Sequence, residues 1–216
     1  MNRHAIALQI IPEKFNDFRS GLGRVWNRLT RLMDDLEISN FSLWNIEDLV
    51  FGYYETDPLS PTPSEHQKAE FRSLEAEVGD SYRWISGPDQ EMRLMYHDFG
   101  IVRPNKELIR HRVFVTKLKG DFQEEYKRRH DGLIAARQGK VDPGPDSNFS
   151  IWNAEDYIFG YDEIDTTMET AETEEGRQAT IQWETKMLEI MSWYTDDVDW
   201  ITGEHHPHIV RIGCHN

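Results

Sequence analysis

Residues 40–57 read NFSLWNIEDLVFGYYETD, and residues 148–165 read NFSIWNAEDYIFGYDEID. Twelve of the eighteen positions are identical at an offset of 108, and chance does not give such a run in a chain of 216 residues. Each stretch has two apolar, aromatic-rich runs around an Asn-x-Glu-Asp turn, the pattern of a β-hairpin. In the first copy the strands are Phe41 to Trp44 and Leu49 to Tyr54, with Asn45-Ile46-Glu47-Asp48 between them. Self-similarity of this kind governs the whole fold reading, because each copy is one structural unit.

Working outward, the same offset aligns Ala5 to Phe18 with Val113 to Tyr126 through a shared apolar pattern. Each copy then reads in one order. A short apolar strand comes first (Ala5 to Ile11; Val113 to Leu118). A helix follows, with apolar residues three and four apart: Phe15, Phe18, Leu22, Val25, Leu29 and Leu32 in copy one. In copy two the series is Phe122, Tyr126, His130 and Leu133. After the hairpin comes a second helix, carrying Phe71, Leu74 and Val78, or Ile181, Leu188 and Met191. A final strand, Met92 to Tyr96 or His208 to Ile212, is expected to close each copy. Trp84-Ile85-Ser86-Gly87 matches Trp200-Ile201-Thr202-Gly203 at an offset of 116, which places about eight extra residues in copy two. The acidic, Thr-rich stretch from Thr166 to Gly176 is the expected location.

The order βαββαβ is that of the ferredoxin-like unit. The fold class is therefore α+β, with two tandem ferredoxin-like units, one in residues 1–103 and one in 104–216. A sheet with helices on one face needs a cover on the other. Two such sheets placed face to face would form an intrachain dimeric α/β barrel, a pseudo-dimer in one chain. The join between the units is expected at Phe99 to Arg110.

Composition narrows the partners. The chain is 38% hydrophobic and 12% aromatic, with a formal net charge of −15. That acidity disfavours nucleic acid and anionic membrane surfaces as partners and is compatible with a neutral ligand. Cys214 is the single cysteine, so no intrachain disulfide forms, as in a reducing compartment. The N-terminus runs straight into a strand pattern without the marks of a secretion signal, and no apolar run approaches membrane-spanning length. A cytoplasmic location is the expectation.

The most informative cluster for chemistry is Glu124-Glu125-Tyr126-Lys127-Arg128-Arg129-His130. Tyr126 and His130 are four apart, so they share a helix face one turn apart, with Phe122 and Leu133 on the same side. A phenol and an imidazole are thereby aimed at the sheet. Histidine titrates near neutrality and both gives and takes protons. On spacing alone, a hydrogen-bonded histidine packed against the sheet is the plainer reading.

The run EEYKRRH after a short strand resembles the signature of the L-rhamnose mutarotase family, whose pattern continues to a segment like Asn148 to Asn153. The resemblance implies a ferredoxin-like unit paired into a dimeric α/β barrel and cofactor-free interconversion of sugar anomers. Carried over by position, it implies His130 as the acid/base residue and Tyr126 as a hydroxyl lining the site. Trp183 would be the helix-two aromatic, and Trp152 stands where the family often has tyrosine. This sequence departs from the family after the histidine, with Asp131-Gly132-Leu133-Ile134-Ala135 in place of an N-P-I-W-P-like run. Copy one has Trp26 at the aligned tryptophan position but Phe18 and Leu22 at the tyrosine and histidine positions. It has no titratable group at the expected place and is read as non-catalytic.

Other features have plainer readings. His205-His206-Pro207-His208 with His215 lacks the spacing of a metal site and is read as a polar loop, so no metal and no cofactor are expected. Glu47-Asp48 and Glu155-Asp156 are read as turn chemistry rather than a carboxylate pair. The repeated tryptophans Trp44, Trp152, Trp84 and Trp200 read as core. The resulting expectation is a mutarotase-like isomerase acting on a free monosaccharide such as L-rhamnose or a related aldose. The alternatives are a non-catalytic carbohydrate or small-molecule binding protein, or another cofactor-independent barrel enzyme.

Overall fold

The structure, a computed structural model, describes residues 1–87, 91–103, 105–195 and 208–215. The first half runs β1 (Asn2–Ile10), α1 (Phe15–Asp35), β2 (Ile38–Ile46), β3 (Leu49–Thr56), α2 (Glu65–Val78), β4 (Tyr82–Trp84) and β5 (Arg93–Gly100). The second half repeats that order as β6 (Ile109–Leu118), α3 (Gln123–Arg137), β7 (Asp146–Ala154), β8 (Tyr157–Asp165), α4 (Glu174–Met187), β9 (Met191–Thr195) and β10 (Val210–His215). The fold is α+β, with two antiparallel five-stranded sheets ordered β10-β2-β3-β1-β4 and β5-β7-β8-β6-β9.

These orders correct the reading of the last strand. The fourth strand of each ferredoxin-like unit is the short β4 or β9, beside β1 or β6. The segment expected to close each copy is a fifth strand, and it lies on the other copy's sheet. Arg93 to Gly100 pairs with β7, and Val210 to His215 pairs with β2. The compact units are therefore Met1–Met92 with Val210–Asn216, and Arg93–Ile209, whereas the sequence repeats divide near residue 103. The physical reason is edge coverage. β2 and β7 would each present a row of unpaired backbone groups, and the exchanged strand satisfies them. The segment expected to join the units, Phe99 to Arg110, instead connects β5 to β6 within the second unit.

The register also relocates the insertion. Leu8 pairs with Trp84 and the equivalent Thr116 pairs with Trp193, so Trp193 is the structural counterpart of Trp84. Trp200, the counterpart expected from sequence, lies outside the described residues. The loops before helix two, 57–64 and 166–173, have equal length and end on equivalent caps. Ser64 accepts from the Gln67 amide, and Thr173 accepts from the Gly176 amide. Both helices have 14 residues. The extra residues of the second repeat thus follow β9 and do not lie at Thr166 to Gly176. Met191, expected on the helix, is the first residue of β9.

The hairpin repeat has a local cause. Asn45 donates from Nδ2 to the carbonyls of Glu47 and Leu49, and Asn153 does the same to Glu155 and Tyr157. Glu47 and Glu155 take positive φ in these turns, so the paired acids serve turn geometry. Away from the turn, Asn40 and Asn148 adopt left-handed conformations at the bulges that offset β2 against β3 and β7 against β8. Each asparagine donates to a buried glutamate, Glu55 or Glu163, that also accepts from Tyr53 or Tyr161. The identities N, Y and E in the repeat thus encode a turn and a bulge.

In each unit the helices pack on one sheet face. α1 lays Phe18, Leu22 and Trp26 on Leu8, Phe41, Leu43 and Val50. In the second unit Tyr126, Leu133, Trp183 and Met187 pack with Phe114, Leu118, Ile151 and Ile158. Close packing at Gly160 is specific, because an added Cβ would lie 2.1 Å from the Phe114 ring. Gly160→Ala should therefore destabilise the fold by about 1–3 kcal/mol, the usual cost of overpacking. Gly23, in the exposed interior of α1 with open space at its Cβ, offers the opposite case. Gly23→Ala should stabilise by about 0.5–1 kcal/mol by removing backbone freedom from the unfolded chain. Urea unfolding of both variants checks the pair, and a neutral Gly160→Ala would contradict the packing described.

Candidate functional site

The site is built by α3. Its EEYKRRH run is mostly scaffolding. Glu124 forms an ion pair with Arg93 on the exchanged strand β5, and this ties the helix to that strand. Glu125 holds Arg128 and Arg129 at 2.6 and 2.8 Å, so its carboxylate is pushed down to about 2, first by the Arg128 hydrogen bond and then by Arg129. Arg129 also donates to the Lys186 carbonyl and bonds Glu189 at 3.0 Å. It thus anchors the C-terminal end of α4 to α3. Lys127 pairs with Asp131 on the outer face.

This anchoring sets Trp183 of α4 edge-on to His130, with ring centroids 5.2 Å apart. Tyr126 stacks on the imidazole at 4.4 Å, and Tyr96 of β5 lies 5.3 Å away. His130 is only 4% exposed. Its Nδ1 lies 3.0 Å from the Tyr126 carbonyl oxygen. A carbonyl only accepts, so Nδ1 carries the proton and Nε2 keeps its lone pair. Among the described residues, no hydrogen bond reaches that Nε2 or the Tyr126 hydroxyl. Burial pushes the imidazole down to about 4, outweighing the carbonyl hydrogen bond and the charge of Asp131, so it is neutral at neutral pH. Burial, followed by the negative charge of Glu184, pushes the Tyr126 phenol upward, so it stays protonated.

Three of the four residues singled out from sequence therefore stand together: Tyr126, His130 and Trp183. Trp152 does not join them. Along β7, Phe149 and Ile151 face the helices, and Trp152 points to the opposite sheet face, where its Nε1 donates to Ser150. The alternation of a strand explains the separation, since neighbours at i and i+1 face opposite ways.

The sequence reading missed Asp162. On β8 it shares the helix-facing side with Ile158 and Gly160, and it sits opposite Arg112 in the ladder. It is 2% exposed, and its Oδ1 has no hydrogen-bond partner. Burial is the first cause that raises its carboxyl to about 8; the charge of Asp146 and a hydrogen bond with it follow. Thr116, fully buried on the same face, likewise has an unpartnered hydroxyl. Buried polar atoms without partners are rare and imply a polar guest or water. The signal was present in the sequence, in an acid at the inward position of an apolar alternation, Ile158, Gly160, Asp162.

Of the histidines weighed as metal ligands, His205 and His206 lie outside the described residues, and His215 bonds Asp34 at 2.6 Å. Among the described residues no cluster is placed to hold a metal ion, and no helix is long and apolar enough to cross a membrane.

Residues 111–207 match the family model described as L-rhamnose mutarotase. No curated protein matches the chain. Two solved structures are similar. One is a putative monooxygenase from Fusobacterium nucleatum subsp. nucleatum, 6% identical with a TM-score of 0.42, covering 88% of this chain and 87% of that one. The other is an anthrone oxidase-like protein, 12% identical with a TM-score of 0.41, covering 98% and 93%. Neither likeness bears on the chemistry. The family match spans Tyr126, His130 and Trp183, and it supports a mutarotase-like or related small-molecule-binding role. Residues 111–207, in the second of two repeats, are thus similar to the L-rhamnose mutarotase family.

Proposed function

We propose that the second repeat interconverts the anomers of a free monosaccharide, such as L-rhamnose or a related aldose. The observation that carries this reading is a neutral imidazole with Nε2 unengaged, held among three aromatic rings. Mutarotation needs a base for the O1 proton and an acid for the ring oxygen. Opening the hemiacetal moves the O1 electrons into a carbonyl while the C1 to ring-oxygen bond breaks and that oxygen is protonated. Rotation about C1–C2 and reclosure on the other face, with both protons returned, completes the exchange.

His130 Nε2 fits the base, because burial keeps it unprotonated at neutral pH. Asp162 fits the acid. It stays protonated up to about 8, and it lies on the same helix-facing side of the sheet. Opposed shifts of two titratable groups are the usual way to divide acid and base roles at one pH. Trp183 and Tyr126 offer flat apolar faces for the C–H side of a pyranose. Arg93, Glu125 and Arg129 are positioning residues that hold α3 against β5 and α4.

Anomer exchange followed by NMR saturation transfer tests the reading. His130→Ala should reduce the acceleration by about 10²–10⁴-fold, the range expected of one general acid/base group. The rate should be level between about pH 4 and 8. Below 4 the imidazole gains a proton and the base is lost; above 8 Asp162 loses its proton and the acid is lost. Asp162→Asn should lower the plateau and remove the alkaline limb. Sugar binding that survives His130→Ala, with no acceleration by the native chain, would identify a binding protein instead.

A further inference from the structure

The first repeat holds a half-open cavity of about 520 Å³ between α1, α2 and the helix-facing side of its sheet. The position-by-position exchange between repeats changes the chemistry of this surface. Where the second repeat has His130, Tyr126, Thr116, Asp162 and Asp146, the first has Leu22, Phe18, Leu8, Tyr54 and Ile38, all on the cavity wall. Ile6 replaces Phe114, whose ring in the second repeat lies across Gly160. That replacement helps open the space.

One polar group is kept. Glu75 occupies the α2 position that Glu184 holds on α4. Trp84 Nε1 donates to its Oε1 at 2.9 Å, and the Tyr82 hydroxyl donates to the same oxygen at 3.5 Å. Phe18, Tyr82 and Trp84 pack edge to face around it. A second carboxylate, Glu91, accepts from His4 at 2.5 Å and from Tyr54 at 3.4 Å. The basic groups on the wall come from the outer side of α2. Lys68 is paired with Glu65 there, and Arg72 is exposed.

We propose that this cavity is a second, independent ligand site, for a neutral aromatic alcohol or phenol whose hydroxyl is donated to Glu75. The volume is in the range that encloses a drug-sized ligand. The wall is mostly apolar, with its polar groups near Glu75, Glu91 and the outer side of α2, so most hydroxyls of a sugar would lose water without gaining a partner. Two carboxylates on the wall repel an anion. The aromatic rings around Glu75 select a flat ligand with one donor.

The test uses the intact chain with 2-naphthol, naphthalene and 2-naphthoate, followed by calorimetry and tryptophan quenching. 2-Naphthol should bind one per chain and at least about tenfold more tightly than 2-naphthoate, the effect of a hydrogen bond to a charged group gained in one case and repelled in the other. Leu22→Trp, which fills the cavity, should weaken 2-naphthol by more than about tenfold. Glu75→Leu should abolish the preference for 2-naphthol over naphthalene. Leu22→Phe, a smaller change, repeats the blocking test if the tryptophan variant does not fold. Equal binding of 2-naphthoate overturns the proposal, and so does 2-naphthol affinity unchanged in the folded Leu22 variants.

Discussion

The hydrogen bond from His130 Nδ1 to the carbonyl of Tyr126, one turn earlier in α3, sets the state of the ring on which the proposed chemistry rests. It fixes the tautomer, aims Nε2 away from the helix and stacks the imidazole on the tyrosine ring at an interplanar angle of 26°. Burial then keeps the ring uncharged. Moving an imidazole from its ordinary value to about 4 corresponds to on the order of 3 kcal/mol against protonation. Such a group is uncharged at neutral pH and keeps a bare ring nitrogen. The EEYKRRH run can be understood from this bond outward: tyrosine and histidine make the face, while arginines and glutamates hold that face against β5 and α4.

Duplication explains how one chain can hold two different inner surfaces. The parts that set the backbone are nearly invariant between repeats: the asparagine-stapled turn, the left-handed asparagine at the bulge, and the buried glutamate that it reaches. The parts that face the helices have diverged in polarity. In the second repeat the helix-facing surface carries Thr116, Asp162 and His130; in the first, Leu8, Tyr54 and Leu22 replace them. The frame tolerates this because strand alternation separates the two jobs. Glu163 and Tyr161 point to one face, and Asp162 between them points to the other.

Much of the fold was legible, and the illegible part has a physical cause. The hairpin identities and the helix periodicity placed α1, α3 and the strands around them. The exchange of β5 and β10 was not readable, because a strand's sequence states that it pairs and not with which edge. The short β4 and β9 carry too few residues to show a period. The insertion was misplaced because Trp84 resembles Trp200 in local sequence, whereas backbone pairing matches it to Trp193. At the site, helical spacing brought Tyr126 and His130 together, and the family pattern added Trp183. Trp152 failed because its neighbour Ile151 takes the inward position. Asp162 was hidden inside a repeat whose identities drew notice to turn and bulge residues.

The most direct measurement is the nitrogen chemical shifts of the His130 ring across pH in long-range ¹⁵N–¹H NMR spectra of the intact chain. The account predicts a protonated Nδ1 and a bare Nε2 at neutral pH, with the ring gaining its second proton near 4. A ring that titrates near its ordinary 6.5, or that carries its neutral-state proton on Nε2, would contradict it.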